Sequence, residues 1–416
     1  MEVHILNKLL KEADMCYKCK NAKCSSNCPV NTPIPEIIQL FKEGKLEEAG
    51  EILFNNNPLS VVCALICPHE KQCFGNCIRG IKGDPIPFHE MEYIISNEFL
   101  GIKTFTQKEK LNKKVAIIGS GPAGITIAFK LALKGYDITL FDAHDEIGGV
   151  LRYGIPEFRL PKDILDKIKT FLLQLGVKIR PNTLIGPVIT LDDLKNDGYE
   201  SIFIGTGVWK PNKLNLKGES LGHVHYAIDY LKNPKVYDLG NRVCVIGAGD
   251  VAMDAARTAL RQGSKEVYIL YRKDFEDIPA TKHELNMAKE EGVKFELLKS
   301  PIEITDEGVK YLEVNKYLDE NGKVVISTID GSEGIFKADS VIISVSQGPR
   351  ANIVSNTTGL EINKWGLLIT DDVGNTTKEG VFASGDVVTG ARTVVEAVKY
   401  SKKVAEAMDE YMQRKK

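Results

Sequence analysis

The sequence predicts an α/β protein in which two Rossmann-like dinucleotide-binding domains follow an all-α, cysteine-rich domain. Three observations carry that prediction. Two glycine-rich turns, in "IGSGPAGITIA" and "GAGDVAMDAARTALRQG", each follow a short apolar strand and open a helix. The second turn repeats the pattern of the first, as an internal duplication of a βαβ unit would. Eight of the nine cysteines stand between Cys16 and Cys77, ahead of both turns.

The bulk properties narrow the function classes. A chain of 416 residues has room for two to three domains. Its 43% hydrophobic and 26% charged residues are those of an ordinary globular protein. A formal charge of −2 without a basic stripe argues against nucleic acid and against an anionic membrane surface. No apolar run is long enough to span a bilayer. The N-terminal stretch "MEVHILNKLLKEADMCYKCK" lacks a secretory signal, so a cytoplasmic chain is expected. In a reducing compartment, clustered thiols bind metal or carry out redox work more often than they form disulfides.

In chain order, residues 1–111 read as short helices joined by cysteine-bearing loops. In "IPEIIQLFKEGKLEEAGEILFNNNP", Ile37, Ile38, Phe41, Leu46, Ile52 and Leu53 recur at helical spacing, with Pro58 closing the run. The polar stretch "KTFTQKEKLNKK" reads as a linker. "KKVAIIGSGPAGITIAFKLALKGYDITLFD" then gives strand, turn, helix and a strand ending at Asp142, and "NRVCVIGAGDVAMDAARTALRQGSKEVYILYRK" repeats it. "ADSVIISVSQGPR" is a buried strand and turn. "EGVFASGDVVTGARTVVEAVKYSKKVAEAMDEYMQ" is a strand, a Gly-Asp turn and a long helix. The expected domains are 1–111, a discontinuous 112–235 with 346–416, and 236–345.

The cysteines fall into C-x2-C-x4-C-x3-C-P and C-x3-C-P-x4-C-x3-C. Structural zinc prefers C-x2-4-C pairs closing one tetrahedron. Closely spaced cysteines ending in Cys-Pro, whose last thiolate serves a second cluster, are the bacterial ferredoxin arrangement. Two [4Fe–4S] clusters are therefore favoured over two zinc ions or unmetallated thiols. Spacing alone does not assign cysteines to clusters. Cys244, inside "RVCVIG", reads as a small buried hydrophobe.

The two turns differ where nucleotide choice is made. In the first, Gly119, Ser120, Gly121, Pro122 and Ala123 form the phosphate-binding turn, with Gly124 in the third glycine position. Asp142 ends the next strand, where a carboxylate accepts from ribose hydroxyls and repels a 2′-phosphate. "SGD" adds Gly385 and Asp386, the latter suited to a ribityl chain, so FAD is expected here. The helix beginning near Arg392 aims its positive end at the flavin ring. In the second turn, Gly247, Gly249, Asp250 and Val251 cradle the phosphates, with Ala252 third. Arg272 and Lys273 stand where the acid would otherwise be, which favours NADPH. The alternative for this pair is a solvated strand end.

From about residue 10 to 410 the chain resembles the small subunit of NADPH-dependent glutamate synthase. The same module occurs in dihydropyrimidine dehydrogenases and in the large subunit of bifurcating NADH-dependent ferredoxin:NADP oxidoreductases. Both cysteine groups, "IGSGPAGITIA", "GGVLRYGIPEFRLPK", "FIGTGVWKP", "GAGDVAMDAARTALRQG", "YRK" and "ASGDVV" carry the resemblance. It implies that Cys16, Cys19, Cys24 and Cys77 hold one [4Fe–4S] cluster. It assigns Cys28, Cys67 and Cys73 to the other, with Glu92 as fourth ligand and Cys63 the alternative. The bland reading of Glu92 is a helix-surface carboxylate. The resemblance also places Gly149, Arg152, Thr206 and Gly207 at the flavin. It implies an iron–sulfur domain at 1–111, an FAD domain at 112–235 and 346–416, and an NADPH domain at 236–345. Electrons would pass from NADPH through FAD and the clusters to a larger catalytic subunit, or to ferredoxin, with no catalytic acid or base in this chain. Glutamate synthase is the first reading of that partner. The alternatives are a dihydropyrimidine dehydrogenase small subunit, a bifurcating complex and a stand-alone NADPH:acceptor reductase.

Overall fold

Short amphipathic helices open the chain: α1 (Glu2–Asp14), α2 (Ile34–Lys42), α3 (Leu46–Asn56), α4 (Ser60–Ile66) and α5 (Phe88–Ile102). Leu9, Ile37, Phe41, Leu53, Met91 and Ile95 meet in one apolar core between them. The helical run expected across residues 34–57 is broken at Gly44. Its φ of +70° is a left-handed conformation that glycine adopts freely. Gly44 N–H donates to the Phe41 carbonyl and Lys45 N–H to that of Leu40, which caps α2 and starts α3.

The computed structural model describes residues 2–106, 108–318 and 324–414. After the coil that follows α5 come β1 (Lys114–Ile118), α6 (Pro122–Ala132), β2 (Asp137–Phe141), α7 (Lys162–Gln174), β3 (Lys178–Arg180) and β4 (Tyr199–Ile204). Next come β5 (Lys210–Pro211), β6 (Val224–Tyr226), β7 (Arg242–Ile246), α8 (Asp250–Arg261), β8 (Glu266–Tyr271), α9 (Lys282–Glu290) and β9 (Lys294–Leu297). An antiparallel sheet follows, built from β10 (Lys299–Thr305), β11 (Gly308–Leu318), β12 (Val324–Thr328) and β13 (Gly334–Lys337). The chain ends its course through β14 (Ser340–Ile343), β15 (Gln347–Gly348), β16 (Val381–Ala383) and α10 (Val394–Arg414).

Two parallel five-stranded sheets result, in the orders β16-β4-β1-β2-β3 and β6-β14-β7-β8-β9. In each, the glycine turn leaves a central strand, β1 or β7, flanked on both sides. That is why those strands read as unbroken apolar runs: both faces are covered. The antiparallel sheet at 299–337 was not expected from the sequence. The alternation in "GVKYLEVNKYL" is its signal, and β11 pairs with β10, β12 and β13.

Two compact units emerge. The first takes in Met1–Arg152, Glu157–Val208 and Pro349–Lys416, so the cysteine-bearing helices and the first sheet are one body. Phe54 of α3 packs edge-on to Phe129 of α6 and Phe171 of α7, with centroids 5.0 and 6.0 Å apart. Phe105, in the expected linker, lies 5.1 Å from Phe54 and 5.0 Å from Phe171, which pins that coil in place. The second unit holds Tyr153–Pro156 and Trp209–Gly348. The boundary expected at 236 lies inside it, because β6 pairs with β14 and draws the stretch before 236 into the second sheet. Among the described residues, no helix is long and apolar enough to cross a membrane.

Candidate functional site

The thiols are all free. Cys16, Cys24 and Cys77 are half-buried against the core of the N-terminal helices. Burial pushes the Cys24 thiol up to about 11; a Ser25 backbone hydrogen bond opposes this, and the charges of Cys77 and Cys16 add to it. Those three thiols therefore lie close enough to sense one another. Cys19 is half-buried on the loop between Cys16 and Cys24.

A second set gathers around Glu92 of α5. Burial raises the Cys28 thiol, a Thr32 hydrogen bond at 3.3 Å opposes it, and Glu92 adds to it. Burial, then the charges of Glu92 and Cys28, hold the Cys73 thiol far above its ordinary range. The Cys67 thiol is raised by its hydrogen bond with Cys63, by burial, and by the charges of Cys63, Glu92 and Cys73. Cys63 is shifted the other way. Cys67 and the buried Asn57, whose Nδ2 donates to Cys63 Sγ at 3.2 Å, lower its pKa against burial.

Glu92 itself is 6% exposed. Burial, with the charge of Cys63, holds its carboxyl well above the usual carboxylate range. Among the described residues it accepts no hydrogen bond and faces no cation. An unpaired buried carboxylate is costly, and a cationic metal group held by these soft thiolates would relieve that cost. No three His, Cys, Asp or Glu side chains among the described residues converge as a single ion requires. His69, beside Cys67, stacks on His89 at 4.4 Å and meets the Cys63 carbonyl through Nε2 at 2.9 Å.

The first glycine turn is built for close backbone approach. Gly119 has a φ of +99°, and a Cβ there would come within 2.5 Å of the Gly205 carbonyl and 3.1 Å of Thr206 Cα. A Cβ on Gly124 would sit 1.9 Å from the Gly119 oxygen. Gly149, at φ +54°, would press a Cβ within 2.8 Å of Gly121 Cα, and Gly385, at φ +77°, within 3.0 Å of Ala123 Cβ. Four segments, 119–124, 148–149, 205–207 and 384–386, thus meet around the start of α6. Pro122 opens that helix, and no side chain caps it. Its free N–H groups and positive end are an anion-binding arrangement that a pyrophosphate would fit.

Asp142 stands one residue past the end of β2, and its oxygens accept from Ser120 N and Oγ and from His144 N and Nδ1. Burial raises its carboxyl, and these bonds outweigh burial and leave it below the usual range. His144 carried no signal in the sequence reading. Arg152 Nε donates to the Ile147 carbonyl at 2.9 Å and its guanidinium pairs with Asp166. Thr206 and Gly207 lie just beyond β4, with Gly207 at φ +68°. Asp386 begins a single helical turn, and burial raises its carboxyl to about 6 against a hydrogen bond from Arg392 N.

The second turn has the same design. Gly247, at φ +125°, would press a Cβ within 2.2 Å of the Ser344 carbonyl, whereas open space adjoins Gly249. α8 starts at Asp250 without a side-chain cap, and Asp250 Oδ1 accepts from Thr281 N at 2.8 Å. Val251 is half-buried behind it. Arg272 is exposed and Lys273 half-buried just past β8, and neither makes an ion pair among the described residues. Behind α8 lies a buried network that sequence reasoning missed. Arg257 bonds Glu284 at 2.7 Å and Glu291 at 2.7 and 3.0 Å, and Arg261 joins Glu291. Cys244 is fully buried in β7, as expected.

Residues 113–401 match the family model for pyridine nucleotide-disulphide oxidoreductases. Residues 3–103 match that for dihydropyrimidine dehydrogenase domain II, 4Fe-4S cluster. The glutamate synthase [NADPH] small chain of Azospirillum brasilense is 33% identical over 97% of this chain and 89% of its own. The NADP(+)-dependent formate dehydrogenase subunit beta of Moorella thermoacetica is 32% identical over 94% of this chain and 60% of its own. In fold, FprA of Mycobacterium tuberculosis, solved in complex with NADPH, aligns with a TM-score of 0.62 at 17% identity, over 73% of this chain and 85% of that one. The chain therefore belongs to the pyridine nucleotide-disulphide oxidoreductases, and within them to the family of the glutamate synthase small chains, NAD(P)H-dependent flavin oxidoreductases with an N-terminal 4Fe-4S domain.

Proposed function

We propose that this chain is the electron-input subunit of a larger enzyme, oxidising NADPH and passing single electrons on through two [4Fe–4S] clusters. The observation that carries the reading is the joining of both thiol groups and the first glycine turn in one packed body, through Phe54, Phe105, Phe129 and Phe171. When bound, the flavin and clusters supply the conversion of a hydride's electron pair into single electrons.

The chain's own residues bind and orient. Gly119, Ser120, Gly121, Pro122 and Ala123 hold the FAD pyrophosphate, with Gly149, Arg152, Thr206, Gly207, Gly385 and Asp386 around the rest of the flavin. Asp142 acts through Ser120, whose backbone and hydroxyl it fixes. Gly247, Gly249, Asp250 and Val251 take the NADPH phosphates, and the unpaired Arg272 and Lys273 take its 2′-phosphate. Cys16, Cys19, Cys24 and Cys77 hold the first cluster. Cys28, Cys67, Cys73 and Glu92 hold the second. Glu92 is favoured over Cys63 because the Cys63 sulfur is already engaged by Asn57 and Cys67, whereas the Glu92 carboxylate has no partner. The functional domains are then 1–111 for the clusters, 112–208 with 349–416 for FAD, and 209–348 for NADPH.

Similarity to the A. brasilense chain supports glutamate synthase as the enzyme served, its larger subunit making glutamate from glutamine and 2-oxoglutarate. The test is anaerobic affinity purification from the native organism. A stoichiometric amidotransferase-like chain, with about eight iron atoms per small chain, is the expected result. A chain that purifies alone and reduces soluble acceptors with NADPH would make it a free-standing reductase.

A further inference from the structure

One hydrogen-bonded chain reaches the second thiol group from the helix that closes the first sheet. Lys402 of α10 donates from Nζ to Asn56 Oδ1 at 2.7 Å. Asn56 Nδ2 donates to Thr32 Oγ1 at 3.4 Å, and Thr32 Oγ1 lies 3.3 Å from Cys28 Sγ. Because Thr32 oxygen already accepts from Asn56, its O–H is free to donate to the sulfur. Every donor then points the same way, from an ammonium toward a thiol, and such chains polarise cumulatively.

The ammonium stands in an unusual place. Lys402 is half-buried and makes no ion pair with a carboxylate among the described residues. Burial and the neighbouring Lys130 disfavour its charge, and the charge of Cys28 favours it. Lys130 of α6 is half-buried as well and donates to the Asn55 carbonyl at 2.6 Å. The charge of Glu406 favours the Lys130 ammonium, but Lys402 has no such carboxylate among the described residues. A half-buried ammonium of that kind is costly unless negative charge lies beyond the thiol it approaches.

We infer that Lys402, acting through Asn56 and Thr32, is a positioning residue that sets how readily the cluster held by Cys28 takes up an electron. A cluster held there would become more negative by one charge on taking up one electron, which a reduced flavin bound at the first glycine turn would supply. A fixed cation and a donor aimed at the ligating sulfur favour that state and raise the reduction potential. The inference rests on Cys28 being a cluster ligand, as proposed above.

The test is an EPR-monitored redox titration of the full chain, purified anaerobically with flavin and iron verified. Lys402→Met should leave one cluster unchanged and lower the other, its reduced-to-oxidised ratio at the wild-type midpoint falling about tenfold, a shift of ~59 mV for a one-electron couple. Lys402→Arg should restore most of it. Lys403→Met, which removes an exposed charge next door, should change neither cluster. Thr32→Val cuts the last link while keeping the charge and should give an intermediate shift, so it carries the test if Lys402→Met loses iron. Wild-type potentials in both Lys402→Met and Thr32→Val would overturn the inference. If Cys28→Ser retained both cluster signals, the ligand assignment would be what had failed.

Discussion

Asp386 keeps its carboxylate in a place that disfavours charge. Burial lifts its pKa to about 6 from the ordinary aspartate value of 3.8. The folded state thus binds the proton more tightly than the unfolded chain does, so stability rises as pH falls from about 6 towards 3.8 and is lowest above that window. Asp386→Asn should therefore stabilise the flavin-free protein at pH 7 by up to about 3 kcal/mol, with the gain fading by pH 4. Denaturant melts at the two pH values would show this. The same variant should bind FAD more weakly. Arg272 and Lys273 make the opposite case, cations that form no ion pair among the described residues. Replacing both by Gln should weaken NADPH binding by roughly 10- to 150-fold per lost contact and leave NADH nearly untouched, as calorimetric titration would measure. At this scale the sequence singled out residues whose chemistry is local, such as the thiols and the two cations. It hid those that matter through a partner. Nothing near His144 announces a bond to Asp142, and Lys402 lies far along the chain from Cys28.

Among the elements, α6 depends on one missing methyl group. A Cβ on Gly124 would lie 1.9 Å from the Gly119 oxygen, so Gly124→Ala must push α6 away from β1. The expected result is a folded protein without flavin, recognised by loss of visible absorbance with most helical signal retained. α8 depends instead on Arg257, which is 4% exposed beside an equally buried Glu284. Arg257→Met leaves that carboxylate without its cation, and the second unit should lose about 3–5 kcal/mol in denaturant unfolding. The glycine turns were legible because their spacing is fixed by the close approach it serves. The Arg257 network was not, because its acids come from α9 and the turn after it. The antiparallel sheet escaped notice because its alternation shows only once a strand is assumed.

Over the whole molecule, the two ends of the long segment of the second unit are paired as β5 and β15, with Lys210 opposite Gly348 and Pro211 opposite Gln347. The ends of residues 209–348 therefore lie side by side. That segment, expressed alone, should fold cooperatively around its own parallel sheet and bind NADPH, which circular dichroism melts with and without the nucleotide would test. The boundary at 209 was invisible in the sequence because β6 is three residues long and finds its partner only in β14. Composition does not change there.

The first unit also has a history in time. Its sheet is finished by β16, and α6 is covered by α10, yet both are synthesised only after the whole second unit. The cysteines have by then long emerged, so the N-terminal helices stand without α10 for much of synthesis. Lys402 arrives with that helix. The segment that completes the first sheet is thus also the one that brings Lys402 to Asn56, and a nascent chain stalled before it would lack both.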